Sequence, residues 1–239
     1  MLAIGQASHA WISGQLARAW GNQRFPGPDP YEEVCLAAEQ HDVGMALWDL
    51  EPARDPDTGL PYSFMEMPLP IHLELWSGAP RRLLTQSRLA AVLVSMHGWR
   101  LYRRRKLEEL LGDQAAAVRR YLDDQQRFRE RLSARIDEQK LELASQLIWT
   151  WDFLSLAICL DWSPRTARDV PTIEGAIDME ITNAGERRVA LRPWPFEARS
   201  VSVRCEARRL EGHYKSDDAL RAALSSASWE TVEFELLSK

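Results

Sequence analysis

The segment that most constrains the fold is an apolar run near position 150 with one carboxylate inside it. Residues 147–160 read LIWTWDFLSLAICL, which is apolar on all sides when wound as a helix, so we expect a buried central helix. Asp152 lies in this run, with Trp149 and Leu156 among its helical neighbours. A carboxylate in such surroundings is costly to bury unless a cation or a set of donors compensates it. The run therefore predicts a partner for Asp152 elsewhere in the chain.

Two other ionisable positions have similarly apolar neighbours. His97 ends the run AAVLVSMH, and the pair His41-Asp42 follows VCLAA and precedes VGMALW. Buried charged or polar groups need partners, and three such positions in apolar helices can serve one another around a metal ion. Adjacent residues on a helix project about 100° apart, so a His-Asp pair can chelate one centre. The simplest interpretation is a single buried metal site.

The donor types limit which metal is expected. The three cysteines, at positions 35, 159 and 205, lie far apart and show no C-x-x-C spacing, which argues against a thiolate zinc site and a disulfide framework. Histidine nitrogens with carboxylate oxygens suit a divalent transition metal. We therefore expect one or two ions of Mn, Fe, Zn, Ni or Co.

The order of these residues resembles the HD-domain superfamily of metal-dependent phosphohydrolases. In that pattern a histidine on a first helix is followed by a His-Asp doublet and a late aspartate on a core helix, and the branch with two metals has two further histidines between the doublet and the aspartate. The matching residues here are His9, His41, Asp42, His72, His97 and Asp152. The resemblance covers about residues 8–160, and the chain also resembles an uncharacterised bacterial family of unknown function.

The resemblance implies a ligand set for two metals. His9, His41, Asp42 and Asp152 would hold the first ion, and Asp42 would bridge to a second ion held by His72 and His97. The chain departs from the pattern at Met45, where many superfamily phosphohydrolases have a lysine that can neutralise a substrate phosphate. This change leaves metal binding untouched but removes one phosphate ligand.

Candidate catalytic residues are Asp42, Arg103 and Asp49. Arg103 belongs to a basic run, residues 100–106, that could replace the missing lysine as a phosphate-binding rim; the alternative is a solvated helix C-terminus. Asp49, like Asp55 and Asp57, is either a general acid near the site or a turn former.

These residues favour a hydrolase of a phosphate ester, either a small molecule or a nucleotide, that uses a metal-activated water. Two alternatives stay open: a di-iron HD-like oxygenase, and a non-catalytic HD-like protein that binds a ligand or partner. The proline-rich loop at residues 51–70 is expected to cover the site.

The periodicity of apolar residues changes after Pro164. Before it the pattern is helical, and after it segments such as 176–182 and 200–210 alternate apolar and polar residues as strands do. We predict a mainly α protein: an HD-like helical bundle at residues 1–167 with a small antiparallel β-sheet appendage at residues 168–239.

Composition and charge limit which classes of partner the protein is expected to bind. The formal net charge of −5 gives no case for binding nucleic acid, and the apolar runs are too short to cross a bilayer. The first residues lack the pattern of a signal peptide, so we expect a cytoplasmic protein. The expected partner is a phosphorylated small molecule, with a homodimer through the β appendage as a further option.

Overall fold

A computed structural model describes all 239 residues. The eight helices are α1 (Gln6–Ala19), α2 (Tyr31–Glu39), α3 (Ala46–Leu50), α4 (Leu69–Leu83), α5 (Arg88–Arg103), α6 (Gln114–Leu132), α7 (Glu138–Cys159) and α8 (Asp217–Ser226). The six strands are β1 (Leu2–Ile4), β2 (Arg165–Thr172), β3 (Gly175–Gly185), β4 (Arg188–Arg192), β5 (Ser200–Arg209) and β6 (Trp229–Ser238). None of the helices combines the length and hydropathy needed to cross a lipid bilayer.

The architecture is a mixed α/β fold, and the prediction of a mainly α bundle with a small sheet appendage is wrong. Helices hold 49% of the residues and a six-stranded sheet holds 22%. The strand order is β1-β5-β6-β4-β3-β2, and β4 runs parallel to β6, so the sheet is mixed rather than antiparallel. The N-terminal strand β1 pairs with β5, which ties the start of the chain into the sheet. Because β1 is only three residues long, the sequence pattern did not reveal it.

Helix α1 covers the part of the β5 edge that the short β1 leaves unpaired. The Ser8 hydroxyl donates to the Glu206 carbonyl at 2.7 Å and accepts from the Glu206 amide at 2.9 Å. Two helical turns further along α1, the Gln15 side chain donates to the carbonyl of Arg204 at 2.7 Å and accepts from the Arg204 amide at 3.0 Å. These bonds satisfy backbone groups that an open edge would expose. They also fix the rotation of α1, which carries His9.

One hydrophobic core joins the helices to the inner face of the sheet. Trp151 of α7 is fully buried and meets Trp20 edge to face, with 5.9 Å between ring centroids. Trp20 in turn contacts Phe196, just before β5, at 5.5 Å. Buried side chains of α1, α7, β3, β5 and β6 belong to this same cluster. The predicted division into domains at residues 1–167 and 168–239 stays a prediction.

A close approach between two segments makes Gly44 sensitive to substitution. A Cβ atom at Gly44 would collide with the Leu75 carbonyl oxygen on α4 and lie 3.1 Å from the Ala79 Cβ. We expect Gly44→Ala to lower the free energy of unfolding by about 1–3 kcal/mol, because rigid backbone must move. Gly78→Ala is the matched control, since a Cβ there meets nothing within 4 Å. Urea unfolding should show the control to be neutral or stabilising; equal losses would contradict the packing at Gly44.

Candidate metal centre

Five of the six predicted ligands converge in the interior of the helical layer. His9 comes from α1, His41 and Asp42 from the turn after α2, His97 from α5 and Asp152 from α7. One ligand atom each from His9, His41 and Asp42 lie within 4.8 Å of one another, and so do those of His41, His97 and Asp152. The two groups share His41. Four separate segments therefore bring nitrogen and oxygen donors to one place.

His41 lies at the centre of the cluster with one ring nitrogen free. Its Nδ1 donates to the carbonyl of Ala38 at 2.8 Å, so its Nε2 points into the cluster. That Nε2 is 3.3 Å from Asp152 Oδ1 and 3.6 Å from Asp42 Oδ2. It is buried and has no hydrogen-bond partner. Metal-ligating histidines are typically held in this way, with the other nitrogen bonded to a carbonyl or carboxylate.

The two remaining histidines of the cluster each approach one of these carboxylates. His9 Nε2 lies 2.7 Å from Asp42 Oδ2, and its Nδ1 is held by the Ser155 hydroxyl at 2.9 Å. His97 Nε2 lies 3.5 Å from Asp152 Oδ2, while its buried Nδ1 has no hydrogen-bond partner. The orphaned nitrogens and the donor chemistry both fit a divalent transition metal.

The electrostatics of the cluster favour a cation. Burial would lower the pKa of His41, but the carboxylates of Asp42 and Asp152 outweigh it and raise that pKa to about 9. Despite the opposing effect of burial, His41 holds the pKa of Asp152 well below its usual range, and that of Asp42 is lowered too. Burial lowers the pKa of His97 to about 4, which keeps that ring neutral and able to ligate. The carboxylate of Asp42, which is buried, and that of Asp152, whose side chain is 15% exposed, thus share positive charge that a metal ion could supply instead.

His72 is the predicted ligand that the structure does not bring into the cluster. Its Nε2 accepts from Trp76 Nε1 at 3.1 Å, and its Nδ1 contacts the Tyr102 hydroxyl. Both ring nitrogens are therefore occupied, and His72 belongs to neither converging group. The ring is buried, and this burial lowers its pKa to about 4. In this structure His72 orients Trp76, whose indole stacks on His97 at 5.6 Å.

The two other catalytic candidates lie in different places. Asp49, on α3, accepts from the Ala7 amide at 3.1 Å at the start of α1, and it lines a cavity next to His9. Arg103 is exposed at the end of α5, with its guanidinium 4.8 Å from the Trp99 ring, and does not line that cavity. Asp55 accepts from the Asp57 amide at 2.8 Å, so it acts as a turn former.

The cavity beside His9 has a volume of about 360 Å³ and mainly apolar walls. One wall is β1, a second is the end of α7, and a third consists of residues from the 51–67 loop. The predicted covering loop thus borders this cavity, and His9 is the one member of the converging set that lines it. A compact ligand with apolar parts would fit there.

Arg208 is a cavity residue that sequence reasoning missed. Its side chain is only 9% exposed, its guanidinium donates to the Asp49 carbonyl, and it stacks over Trp229 at 5.1 Å. Alternating positions from Val201 to Ala207 are buried in the core, and Arg208 comes directly after them, so the pattern placed it outside. Only the pairing of β5 with β1 and the approach of α3 bring it to the cavity.

Asp49 should make stability depend on pH in the metal-free protein. Burial raises its pKa from 3.8 to about 6, so the folded state holds the proton more tightly than the unfolded chain. Stability from this group is therefore greatest below about pH 4 and is lost as the pH rises through 6. We expect Asp49→Asn to be more stable than the parent by about 1–2 kcal/mol at pH 8, after discounting for partial exposure, and equal to it at pH 4.

Chemical unfolding at pH 4, 6 and 8 in the presence of chelator measures this difference. Asp57→Asn is the control, since Asp57 is an exposed aspartate of the nearby loop. A stabilisation of Asp49→Asn that does not change between pH 4 and 8 would contradict the raised pKa.

Comparison with known proteins gives one result, a match to a family model. A family model described as "Protein of unknown function (DUF3891)" matches residues 1–212. The chain belongs to the DUF3891 family. This agrees with the predicted resemblance to a family of unknown function. The DUF3891 match spans all five converging residues, Asp49 and Arg208, and ends before α8 and β6. Neither the curated proteins nor the solved structures contain a match.

Proposed function

We propose that the protein is a metal-dependent hydrolase of a phosphate ester with HD-like ligands. The observation that carries the proposal is the buried Nε2 of His41, which makes no hydrogen bond although it lies within 3.6 Å of carboxylate oxygens of both Asp42 and Asp152. Such a nitrogen is costly to bury unless a ligand or ion completes its coordination. The order of histidine, His-Asp doublet and late aspartate along the chain adds to the support.

The overlapping donor groups favour one ion of Mn, Fe, Zn, Ni or Co, held by residues of the converging set. These are His9, His41, Asp42, His97 and Asp152. A second ion at His72 would require its ring to leave Trp76 and Tyr102. A bound divalent ion would supply a water of lowered pKa and charge stabilisation for a phosphoryl group.

The residues around the cavity fit the remaining roles in ester cleavage. Met45 stands where many HD-domain phosphohydrolases have a lysine; it is 2% exposed and packs in a small core cluster with Trp76, so it cannot reach a substrate. Arg208 supplies a cation to the cavity and can bind a phosphate through its guanidinium. Asp49, whose pKa burial raises to about 6, can protonate a leaving alcohol at neutral pH. The apolar walls would hold the alcohol part of the ester.

The test is hydrolysis of aryl phosphate monoesters and diesters by protein loaded separately with each metal. We expect release of the aryl alcohol only with metal present, and a rate about 10²–10⁴-fold lower in Asp49→Asn at unchanged metal content. If the protein binds metal but cleaves none of these esters, the proposal of a hydrolase is overturned. If the iron-loaded protein consumes oxygen instead, the proposed function becomes oxidation with O₂.

A substitution at Arg208 tests separately whether this residue binds the phosphate of the substrate. We expect Arg208→Gln to lower kcat/KM for aryl phosphates about 10- to 100-fold, because a charge-assisted bond to the phosphate is lost. Arg209→Gln is the matched control, since the neighbouring arginine is exposed and pairs with Glu230 on β6. Steady-state kinetics of both variants measure the difference. Equal losses in the two would show that Arg208 does not contact the substrate.

A further inference from the structure

A second cleft, of about 350 Å³, lies among α5, α6 and α7. It shares no lining residue with the cavity beside His9. Four arginines line it, three from the end of α5 and one from α6: Arg100, Arg103, Arg104 and Arg129. The basic run that the sequence placed near the metal site therefore faces a different space.

Two tryptophans arrange the guanidinium groups of this arginine cleft. The Cζ atoms of Arg103 and Arg129 both lie 4.8 Å from the centre of the Trp99 ring. Those of Arg104 and Arg100 lie 4.5 and 5.4 Å from the centre of Trp149. Cation–π contacts hold an arginine without neutralising it. Arg100 Nη2 also donates to the Gln146 side chain, and Arg129 Nη1 donates to Ser95 at 3.4 Å, whereas the guanidinium groups of Arg103 and Arg104 make no hydrogen bond. The four side chains are thereby positioned before any ligand arrives.

The positive charge of the arginine cleft is largely uncompensated. Its single acidic lining residue, Glu142, is exposed and comes no closer than 4.0 Å to Arg100 Nη1. That Nη1 is buried without a hydrogen-bond partner. Four arginines elsewhere pair closely with a carboxylate, among them Arg18 with Glu39 at 2.7 Å and Arg188 with Glu235 at 2.9 Å. Like charges gathered without counter-ions cost free energy, which an anionic ligand would recover.

We propose that the arginine cleft binds a small molecule that carries an oligophosphate chain. Guanidinium groups bind phosphates through paired N–H donors, and four of them around one cleft match several linked phosphates better than a single carboxylate. The tryptophan faces are already covered by arginines, so recognition rests on the phosphates rather than on a stacked base. This site is independent of the proposed hydrolase, because it lies in a separate cleft.

The test uses inorganic triphosphate as the probe and calorimetry of the full chain in chelator at 0.15 M salt, a condition near the physiological range. We expect binding to weaken more than tenfold in the double variant Arg103→Gln/Arg104→Gln. The control, Arg105→Gln/Arg119→Gln, removes the same charge from exposed positions outside the cleft and should bind as the parent does. Asp42→Asn should also bind as the parent does, which separates this site from the metal centre.

Three outcomes would overturn the proposal. The first is the absence of measurable binding to the parent protein, and the second is equal weakening in the two double variants, which would mean diffuse attraction. The third is much tighter binding of a single-stranded RNA or of phosphatidylserine vesicles than of triphosphate, with the same dependence on Arg103 and Arg104. That result would assign the cleft to a macromolecule or a membrane.

Discussion

Replacing Asp42 with asparagine is expected to lower the affinity for divalent metal at least a hundredfold and to abolish ester cleavage. The carboxylate lies 2.7 Å from His9 and 3.6 Å from His41, so it joins one side of the cluster to its centre. Asparagine keeps the volume but removes the negative charge that a cation requires. Loss of residues that only support the ligands lowers metal affinity about 10- to 100-fold, so loss of a direct ligand should cost about a hundredfold or more.

Elemental analysis and competition with a chelator measure the effect of Asp42→Asn. Asp55→Asn is the matched control, because Asp55 is equally a buried aspartate but lies in the loop and outside the cluster. The control should retain the metal content of the parent. Full metal occupancy in Asp42→Asn, with Asp152→Asn also unaffected, would contradict a metal site at these residues.

The second large effect is expected from Trp151→Ala. Trp151 is fully buried and connects α7 through Trp20 to Phe196 beside the sheet. Removing so large a core side chain costs about 3–5 kcal/mol, a large part of the stability of a typical domain. Because the core joins helices and sheet, we expect both to melt together and at lower temperature.

Far-UV circular dichroism, followed at helix- and strand-sensitive wavelengths, measures this. Trp229→Ala is the control, since that indole is 61% exposed on β6 and its loss should change little. Separate transitions for helix and sheet in the parent protein would contradict a shared core. They would instead support two folding units divided near residue 167.

The sequence allowed most of the candidate site to be predicted, because burial of charge leaves a clear local signal. Asp152, His97 and His41-Asp42 lie in or beside apolar runs, and the structure does bring them together. His9 was predicted only from the order of histidines along the chain, and it also lies in the cluster. His72 lacked any such signal. It was included in the prediction because of the order of histidines along the chain. Nothing in the sequence indicated that its ring nitrogens would contact Trp76 and Tyr102.

The fold was harder to predict because its decisive contacts are long-range. Alternation revealed strands after Pro164 but not their partner β1, whose three residues are too few to show a period. Helix α4 also gave no clear signal, since Pro70 and Pro80 lie within it. Arg208 reaches the cavity only through the pairing of distant segments, so no local pattern could identify it.

The pairing of β1 with β5 has a consequence for how the protein is made. Leu2 lies opposite Arg209, so the first strand leaves the ribosome long before its partner has been translated. Until then the β1 backbone and the covered face of α1 lack their partners, and His9 has no fixed direction. Contacts between such distant residues also slow folding, since long loops must close first. We therefore expect His9 to reach its place beside Asp42 only after most of the chain has left the ribosome.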